Sequence, residues 1–290
     1  MADSSRNSIW LYRYSLTLVF ATAFLILAGG LVTSHEAGLA VPDWPLSYGQ
    51  LMPPMVGNIF WEHGHRMIAG SVGILTLILT LWIQFAKQCS RIKKLAWAAL
   101  GAVILQALLG GLTVLLMLPH AVSIFHACLA QTFFCLTVAL AYFLRPDTIK
   151  TEGSTSQAPQ KNLTGLSKLC RIAFAAAYLQ LILGAIIRHT SKGVVFHIVW
   201  AFVVIALLFV TTRSVMLTAP ERKGAVRASM ALSFLVITQF FLGLGAFIYT
   251  QVLARGYAPS NSEVFFASAH HTNGALILGL SLLMCLQVRK

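Results

Sequence analysis

Long apolar stretches recur along this chain, and each is long enough to cross a lipid bilayer as a single helix. Of its residues, 58% are hydrophobic and only 10% are charged, whereas soluble domains are about 45–50% apolar. A spanning helix needs roughly 20 mostly apolar residues, which predicts spans at about 14–34, 65–86, 96–118, 121–144, 169–188, 194–215, 228–250 and 266–288. We therefore predict an all-α integral membrane protein with eight transmembrane helices in a lipid bilayer.

The positive charges predict the orientation of these helices. The formal net charge is +13, yet with the N-terminus inside, only Arg66, Arg188, Lys192 and Arg255 fall on the outer side. Such an excess of inner Lys and Arg is the positive-inside rule, which puts both termini in the cytoplasm. The basic residues are thus predicted to set topology and not to bind nucleic acid. The polar leader before the first span shows no clear cleavage site, so a retained helix in the inner (plasma) membrane is predicted.

The two halves of the chain resemble each other. LQALLGG (105–111) matches TQFFLGL (238–244), and GGLVTSHEAG (29–38) is echoed by GAIIRHTSKG (184–193). The matches occur in the same order on either side of a polar stretch, and four spans per half give both halves the same orientation. The sequence predicts two tandem, pseudo-symmetric four-helix bundles, at residues 1–145 and 168–290, joined by an inner linker at 146–167.

The histidines indicate the chemistry. All nine are predicted at the outer side, and each even-numbered helix begins with a His followed four residues later by Ala: HRMIA (65–69), HACLA (126–130), HIVWA (197–201) and HTNGA (271–275). A histidine inside a membrane is costly and needs a partner. Two on facing helices provide both axial ligands of a haem iron, and the small residue below leaves room for the macrocycle. The ligands predicted are His65, His126, His197 and His271.

Alternatives stay open at this stage. His270 lies beside His271 with Gly274 at the equivalent place, and His271 is preferred only because Ala275 follows it. His63 is predicted to face solvent or lipid headgroups. Zinc fits poorly, because the four histidines lie on different helices without carboxylate or thiolate neighbours. None of the five cysteines falls in a predicted outer loop.

At these residues the chain resembles the haem A synthase family. EHGHR (62–66) fits the pattern Glu-x-x-His-Arg, GGLVTSHEAGLAVPDWP (29–45) resembles the segment leading into it, and the four helix-start histidines match as well. The resemblance covers nearly the whole chain. It implies a haem-dependent oxidoreductase that oxidises the ring D methyl of haem O to a formyl group, by successive hydroxylations, for cytochrome oxidase assembly.

The resemblance also implies roles for individual residues. His65 and His126 would flank the substrate haem in the N-terminal bundle. His197 and His271 would hold a resident haem b in the C-terminal bundle. Glu62, one turn before His65, would be the catalytic acid. Partners would include the enzyme that supplies haem O and an electron donor that the sequence does not identify; a homo-oligomer stays open.

Three further residues are predicted near the first site, each with a simpler alternative. Arg66 would pair a haem propionate or else snorkel to the interface, and Glu62 would otherwise only pair Arg66. Asp43 and Trp44, between two prolines, would form a fixed turn over the site, unless Trp44 is only an interfacial belt residue.

The chain departs from the family in three ways, and two other functions remain. No cysteine pair lies in the outer loops, Ile198 rather than Arg follows the third histidine, and the loop at 189–193 is very short. A di-haem b-type electron carrier would need the same histidines but neither Glu62 nor the PDWP turn. A transporter or haem-handling chaperone would show polar midplane residues, of which Gln106, Gln180 and Gln239 are candidates.

Overall fold

Eight long helices build the protein. A computed structural model of the chain describes residues 2–146, 163–254 and 258–289, and its eight helices are each long and apolar enough to span a membrane. They are α1 (Ala2–Ser34), α2 (Gly57–Phe85), α3 (Ser90–Leu115), α4 (His120–Leu144), α5 (Leu163–Thr190), α6 (Val194–Thr218), α7 (Lys223–Phe247, continued by a π turn at Ile248–Val252) and α8 (Asn261–Val288). The prediction of an eight-helix membrane protein is confirmed.

Most helices begin before the predicted spans, α1 already at Ala2, and two of these differences affect the predicted site and linker. α2 begins at Gly57 rather than near 65, because its first two turns carry the polar residues that a hydropathy window rejects. Glu62 and His65 therefore lie inside a helix and not at its mouth. α5 begins at Leu163, so the last part of the predicted linker is helical. The rest of that linker, from 147 to 162, and Arg255 lie outside the described residues.

The helices turn sharply at the end of the bundle that carries the site histidines, which we call the histidine end. Met117 and Leu118 adopt positive φ between α3 and α4, and Pro119 is the N-cap of α4. Gly193, with φ of 88°, caps the start of α6 after a turn of three residues. The connection between α1 and α2, residues 35–56, is much longer. One half of the molecule therefore has a substantial loop over its histidine end.

Helix contacts divide into two closed rings. α1, α2, α3 and α4 each pack against their chain neighbours, and α1 closes the first ring on α4; α5, α6, α7 and α8 do the same in the second. A core that includes Leu18, Leu79 and Leu140 fills the first ring. Alanines 173, 176 and 177 of α5 help to fill the second. Small residues let helix backbones approach closely. Close packing matters in a membrane because lipid tails are as apolar as the side chains, so the hydrophobic effect does little to bring helices together.

The two rings meet along a seam formed by α1 and α4 on one side and α5 and α8 on the other. Phe134 of α4 lies against Gly279 of α8, where an added Cβ would come within 2.6 Å of the ring. At the histidine end, Arg188 of α5 donates to the Gly30 carbonyl and to Ser34 Oγ of α1, both at 2.7 Å. The arrangement is consistent with two four-helix units, and the seam joins them by both packing and hydrogen bonds.

Candidate functional site

Four imidazole rings pack directly against a glycine on the preceding helix. A Cβ built on each glycine would lie only 2.8–3.2 Å from the ring Cε1, which is tighter than nearly all Cβ contacts in proteins. Only glycine leaves the ring its place there. The pairs are Gly29 with His65, Gly110 with His126, Gly184 with His197, and Gly243 with His270. Each helical hairpin thus contributes one histidine held against one glycine.

The geometry favours His270 over His271, which the sequence preferred. The rings of His197 and His270 lie 6.2 Å apart between centroids, edge to face, whereas His271 packs against Gly30 of α1 in the seam. One residue turns a helix face by about 100°, and Gly243 of the partner helix decides which of the two neighbours turns inward. His270 is therefore the counterpart of His65, His126 and His197.

The same four histidines share an unsatisfied ring nitrogen. Nδ1 is buried and has no hydrogen-bond partner in the part of the chain that the structure describes, in His65, His126, His197 and His270 alike. Buried polar atoms in folded proteins are nearly always paired, so a set of orphaned ones in equivalent places indicates a ligand. Among the described residues no three His, Cys, Asp or Glu side chains converge on a common point. Pairs of imidazoles fit a haem iron, which needs only two ligands from the protein.

Three glutamines hold the backbone of these histidines from the neighbouring helix. Gln106 Nε2 donates to the His126 carbonyl at 3.0 Å, Gln180 Nε2 to that of His197 at 3.1 Å, and Gln239 Nε2 to that of His270 at 3.1 Å. The amide nitrogens of Gln180 and Gln239 also lie 3.2 and 3.4 Å from the ring Nε2. An amide nitrogen only donates, so each of these ring nitrogens accepts through its single lone pair, and a metal bound there would have to replace the glutamine bond.

Glu62 lies buried between α2 and the long loop. It is 3% exposed, and its Oε1 pairs with Arg66 Nη2 at 2.5 Å, one turn along the same helix. Its Oε2 accepts a hydrogen bond from the Val41 N–H at 2.8 Å. The ion pair with Arg66, considered from the sequence as an alternative, is present. The carboxylate is held with both oxygens occupied, one turn from His65.

Arg66 fastens the loop over the first ring. Besides Glu62, its guanidinium donates to the backbone carbonyls of Val41, Asp43 and Leu46, at 3.2, 2.7 and 2.9 Å. A planar guanidinium is suited to such a set of simultaneous bonds. Snorkelling towards the interface is therefore wrong for Arg66. Residues 40–47, which we call the lid, are fixed to α2 mainly through this one side chain.

Asp43 and Trp44 give the lid its shape, as the sequence predicted. The Asp43 carboxylate accepts from the Gly49 N–H at 2.8 Å and the Tyr48 N–H at 2.6 Å. These bonds, that of Gly49 first, hold the pKa of Asp43 below its ordinary value. Trp44 packs its indole on Gly111 of α3, next to the glycine that contacts His126. Trp44 is thus part of the cover over the first site and not a belt residue.

His63 is not exposed, contrary to expectation. It is 6% exposed, and its Nδ1 lies 2.8 Å from Ser47 Oγ. The helical wheel does place it away from His65, but the lid folds back over that face and covers it. His35 stacks on Trp61 with centroids 4.1 Å apart, which fixes the start of the same loop. A helical wheel alone contains no information about a returning loop.

Comparison with known proteins indicates a family. A family model described as cytochrome oxidase assembly protein matches residues 55–198, the segment that carries Glu62, His65, Arg66, His126 and His197. Over that segment the chain is similar to this family. Two relatives named heme A synthase, from Symbiobacterium thermophilum and Halalkalibacterium halodurans, are 32% and 27% identical, over 59% and 58% of this chain and 58% and 55% of their own length. A third of that name, from an Exiguobacterium species, is 27% identical over 77% of this chain and 78% of its own.

The first relatives are thus matched over less than two thirds of their length, and the family model ends at 198. His270 lies beyond that match, so its assignment rests on the geometry around Gly243 and Gln239. The glutamines were missed as site residues by sequence reasoning, although Gln106 with Gly110 and Gln239 with Gly243 were already aligned between the halves. The spacing Gln-x-x-x-Gly, present again at 180–184, is the signal that could have found them.

The contact between Trp44 and Gly111 gives a direct test of the lid. In Gly111→Ala the new Cβ would lie 2.6 Å from the indole Cδ2, so Trp44 must move. Overpacking of this kind costs about 1–3 kcal/mol, and we expect a lower unfolding midpoint in detergent and faster chymotrypsin cleavage near the lid. Gly101→Ala on the same helix is the control, because no heavy atom lies within 4 Å of that Cβ. Equal effects of the two changes would contradict the packing described.

Proposed function

We propose that this protein is a haem A synthase, which oxidises the ring D methyl of haem O to a formyl group. Two successive hydroxylations give a geminal diol, and loss of water gives the aldehyde. In this proposal His65 and His126 of the first ring flank the substrate. His197 and His270 of the second ring hold a resident haem b.

One observation carries the proposal: two equivalent pairs of partly buried imidazoles are present, and within the described residues only the first pair has the lid and a buried carboxylate, Glu62, beside it. A permanently bound cofactor needs only ligands and a close fit, which the short turn at 191–193 allows in the second ring. A substrate that must react needs a closed, water-poor pocket and a group that handles protons. The first ring has the lid, which would cover such a pocket, and the buried Glu62 carboxylate.

The residues of the chain have distinct tasks in this proposal. Bound haem iron supplies the redox chemistry. The imidazoles orient the macrocycle, the glycines leave it room, and the lid keeps water out. The Glu62 carboxylate, held by Arg66 and the Val41 N–H, is proposed to carry a proton at Oε1 or Oε2 beside the reacting methyl, which is general acid–base work.

Orientation and partners complete the proposal. The connection between α2 and α3, at the end opposite the histidines, carries Lys87, and the start of α3 carries Arg91, Lys93 and Lys94. The positive-inside rule then supports cytoplasmic termini and haem sites towards the outer face of the inner membrane. The enzyme that makes haem O would deliver the substrate, and a separate electron donor would supply reducing equivalents.

The experiment is extraction and mass analysis of haem from cells that express the chain together with a source of haem O. We expect haem A or its hydroxylated precursor from the unchanged chain. Glu62→Gln keeps the size of the side chain but removes its charge and its proton-transfer capacity, and we expect product to fall by about 100-fold. The purified variant should still hold haem in the second ring.

Glu263→Gln is the control, because Glu263 lies at the start of α8 away from the lid. Unchanged haem O with the intact chain would refute the synthase and leave a haem carrier as the function. Normal product from Glu62→Gln would refute only the role of Glu62.

A further inference from the structure

The three glutamines that donate to the histidine carbonyls, Gln106, Gln180 and Gln239, are called the glutamine clamps. Their spacing to the glycine on the same helix is constant, and α1 departs from it. On α3, α5 and α7 the glutamine lies four residues before the glycine that contacts the histidine ring: Gln106 and Gly110, Gln180 and Gly184, Gln239 and Gly243. On α1 the glycine is Gly29, against His65, and the residue four before it is Leu25. Leu25 packs into the core of the first ring and has no donor.

The clamp acts on the histidine backbone. A carbonyl inside a helix already accepts from the N–H four residues later, and its second lone pair is free for one more donor. A glutamine on the neighbouring helix donates to that lone pair. The bond fixes the position of the histidine along the bundle axis relative to that helix. No water competes for the bond in the bundle interior, and an interhelical hydrogen bond in a membrane contributes modestly but measurably. Three of the four histidines are tied in this way.

His65 lacks a glutamine bond to its carbonyl, and its helix α2 contains glycines that favour backbone movement. Among the described residues no hydrogen bond from another helix reaches the His65 carbonyl, whereas the carbonyls of the other three receive one. α2 also has glycines at 64, 70 and 73 that no close neighbour explains, since a Cβ at Gly70 or Gly73 would meet nothing within 4 Å. Glycine within a helix costs about 1 kcal/mol relative to alanine and gives the backbone more freedom. Packing does not account for these glycines on either side of His65.

We propose that Gln106, Gln180 and Gln239 are positioning residues that fix three of the histidines, and that His65 is the exchangeable ligand through which haem enters and leaves the first ring. This inference rests on the proposed function, because it assigns the exchanging haem to the ring that would hold substrate. The lid is attached to the same helix through Glu62 and Arg66. Movement of α2 around His65 and opening of the lid are then one event.

The test is the rate at which the full-length, haem b-loaded protein in detergent loses ferric haem to excess apomyoglobin, followed by absorbance. We expect two phases, a fast one from the first ring and a slow one from the second. Leu25→Gln supplies the missing donor and should slow the fast phase by at least about threefold, the factor equivalent to an interhelical bond of ~0.6 kcal/mol. Leu25→Met has similar length without a donor and should leave both phases unchanged.

The converse change tests the clamps themselves. Gln239→Met and Gln180→Met should accelerate only the slow phase, and the low-spin ferric signal of that haem should broaden in electron paramagnetic resonance because its imidazole is no longer held. A fast phase that Leu25→Gln leaves unchanged, or that Leu25→Met slows equally, would overturn the proposal. If the chain makes haem A yet shows that result, only the exchange role of His65 fails. If the purified chain binds no haem, the proposed function fails as well.

Discussion

His270→Ala is expected to abolish haem binding in the second ring, whereas His271→Ala is expected to retain it. The ring of His270 is the one that faces His197 and packs on Gly243. Its removal leaves the iron with one axial protein ligand. The haem content per chain, measured by the pyridine haemochrome method, should fall from two to one when substrate-type haem is also supplied.

His271→Ala affects a different place. His271 fills space beside Gly30 in the seam, near the Arg188 bonds to α1. Its loss should lower the unfolding midpoint but keep the low-spin spectrum of the second haem. His270→Gly with added imidazole is a useful partner experiment, because free imidazole should restore that spectrum. Retained haem in His270→Ala together with lost haem in His271→Ala would show that the first expectation from the sequence was right after all.

Arg66→Met is expected to release the lid and to be among the most damaging single changes in the first ring. The substitution removes the ion pair with Glu62 and three bonds to lid carbonyls. Removing one partner of a buried pair typically costs about 3–5 kcal/mol, because the remaining charge is left uncompensated. Chymotrypsin should cleave between Tyr48 and Met52 much faster than in the unchanged protein.

A double-mutant cycle separates charge from anchoring. In Glu62→Gln with Arg66→Met no buried charge is left alone, so this pair should be less destabilised than Arg66→Met by itself. Arg66→Lys should not restore the lid, because a single ammonium cannot reach the same four acceptors. A double variant as unstable as the two single changes added together would mean that the ion pair contributes nothing.

Much of the fold could be predicted from the sequence, because hydropathy and the bilayer leave few choices. The eight spans were located, and His65, His126 and His197 were singled out from their places near the predicted helix starts; their role as ligands stays a prediction. The histidine of α8 could not be decided in that way. The argument from Ala275 considered only residues on the same helix. The contact that distinguishes the two histidines is made by Gly243 on the neighbouring helix.

The lid was only partly predictable for a similar reason. Two prolines around Asp43 and Trp44 indicated a fixed turn, and the turn is present. Its return across α2 depends on Arg66 reaching three backbone carbonyls, which leave no trace in the sequence. The burial of His63 follows from that return. Local patterns thus predicted the elements, while contacts between distant backbone and side chain decided what they cover.

The seam also dictates the order in which the protein is assembled. During synthesis the first ring can close as soon as α4 is in the membrane, since the helix contacts that close it lie within α1–α4. α8 packs against α1, α4, α5 and α7, and Ser268 on it completes the chain of hydrogen bonds that runs through Ser34 to Arg188. The second ring and the seam therefore close together, in the last insertion step, around a first ring that is already complete.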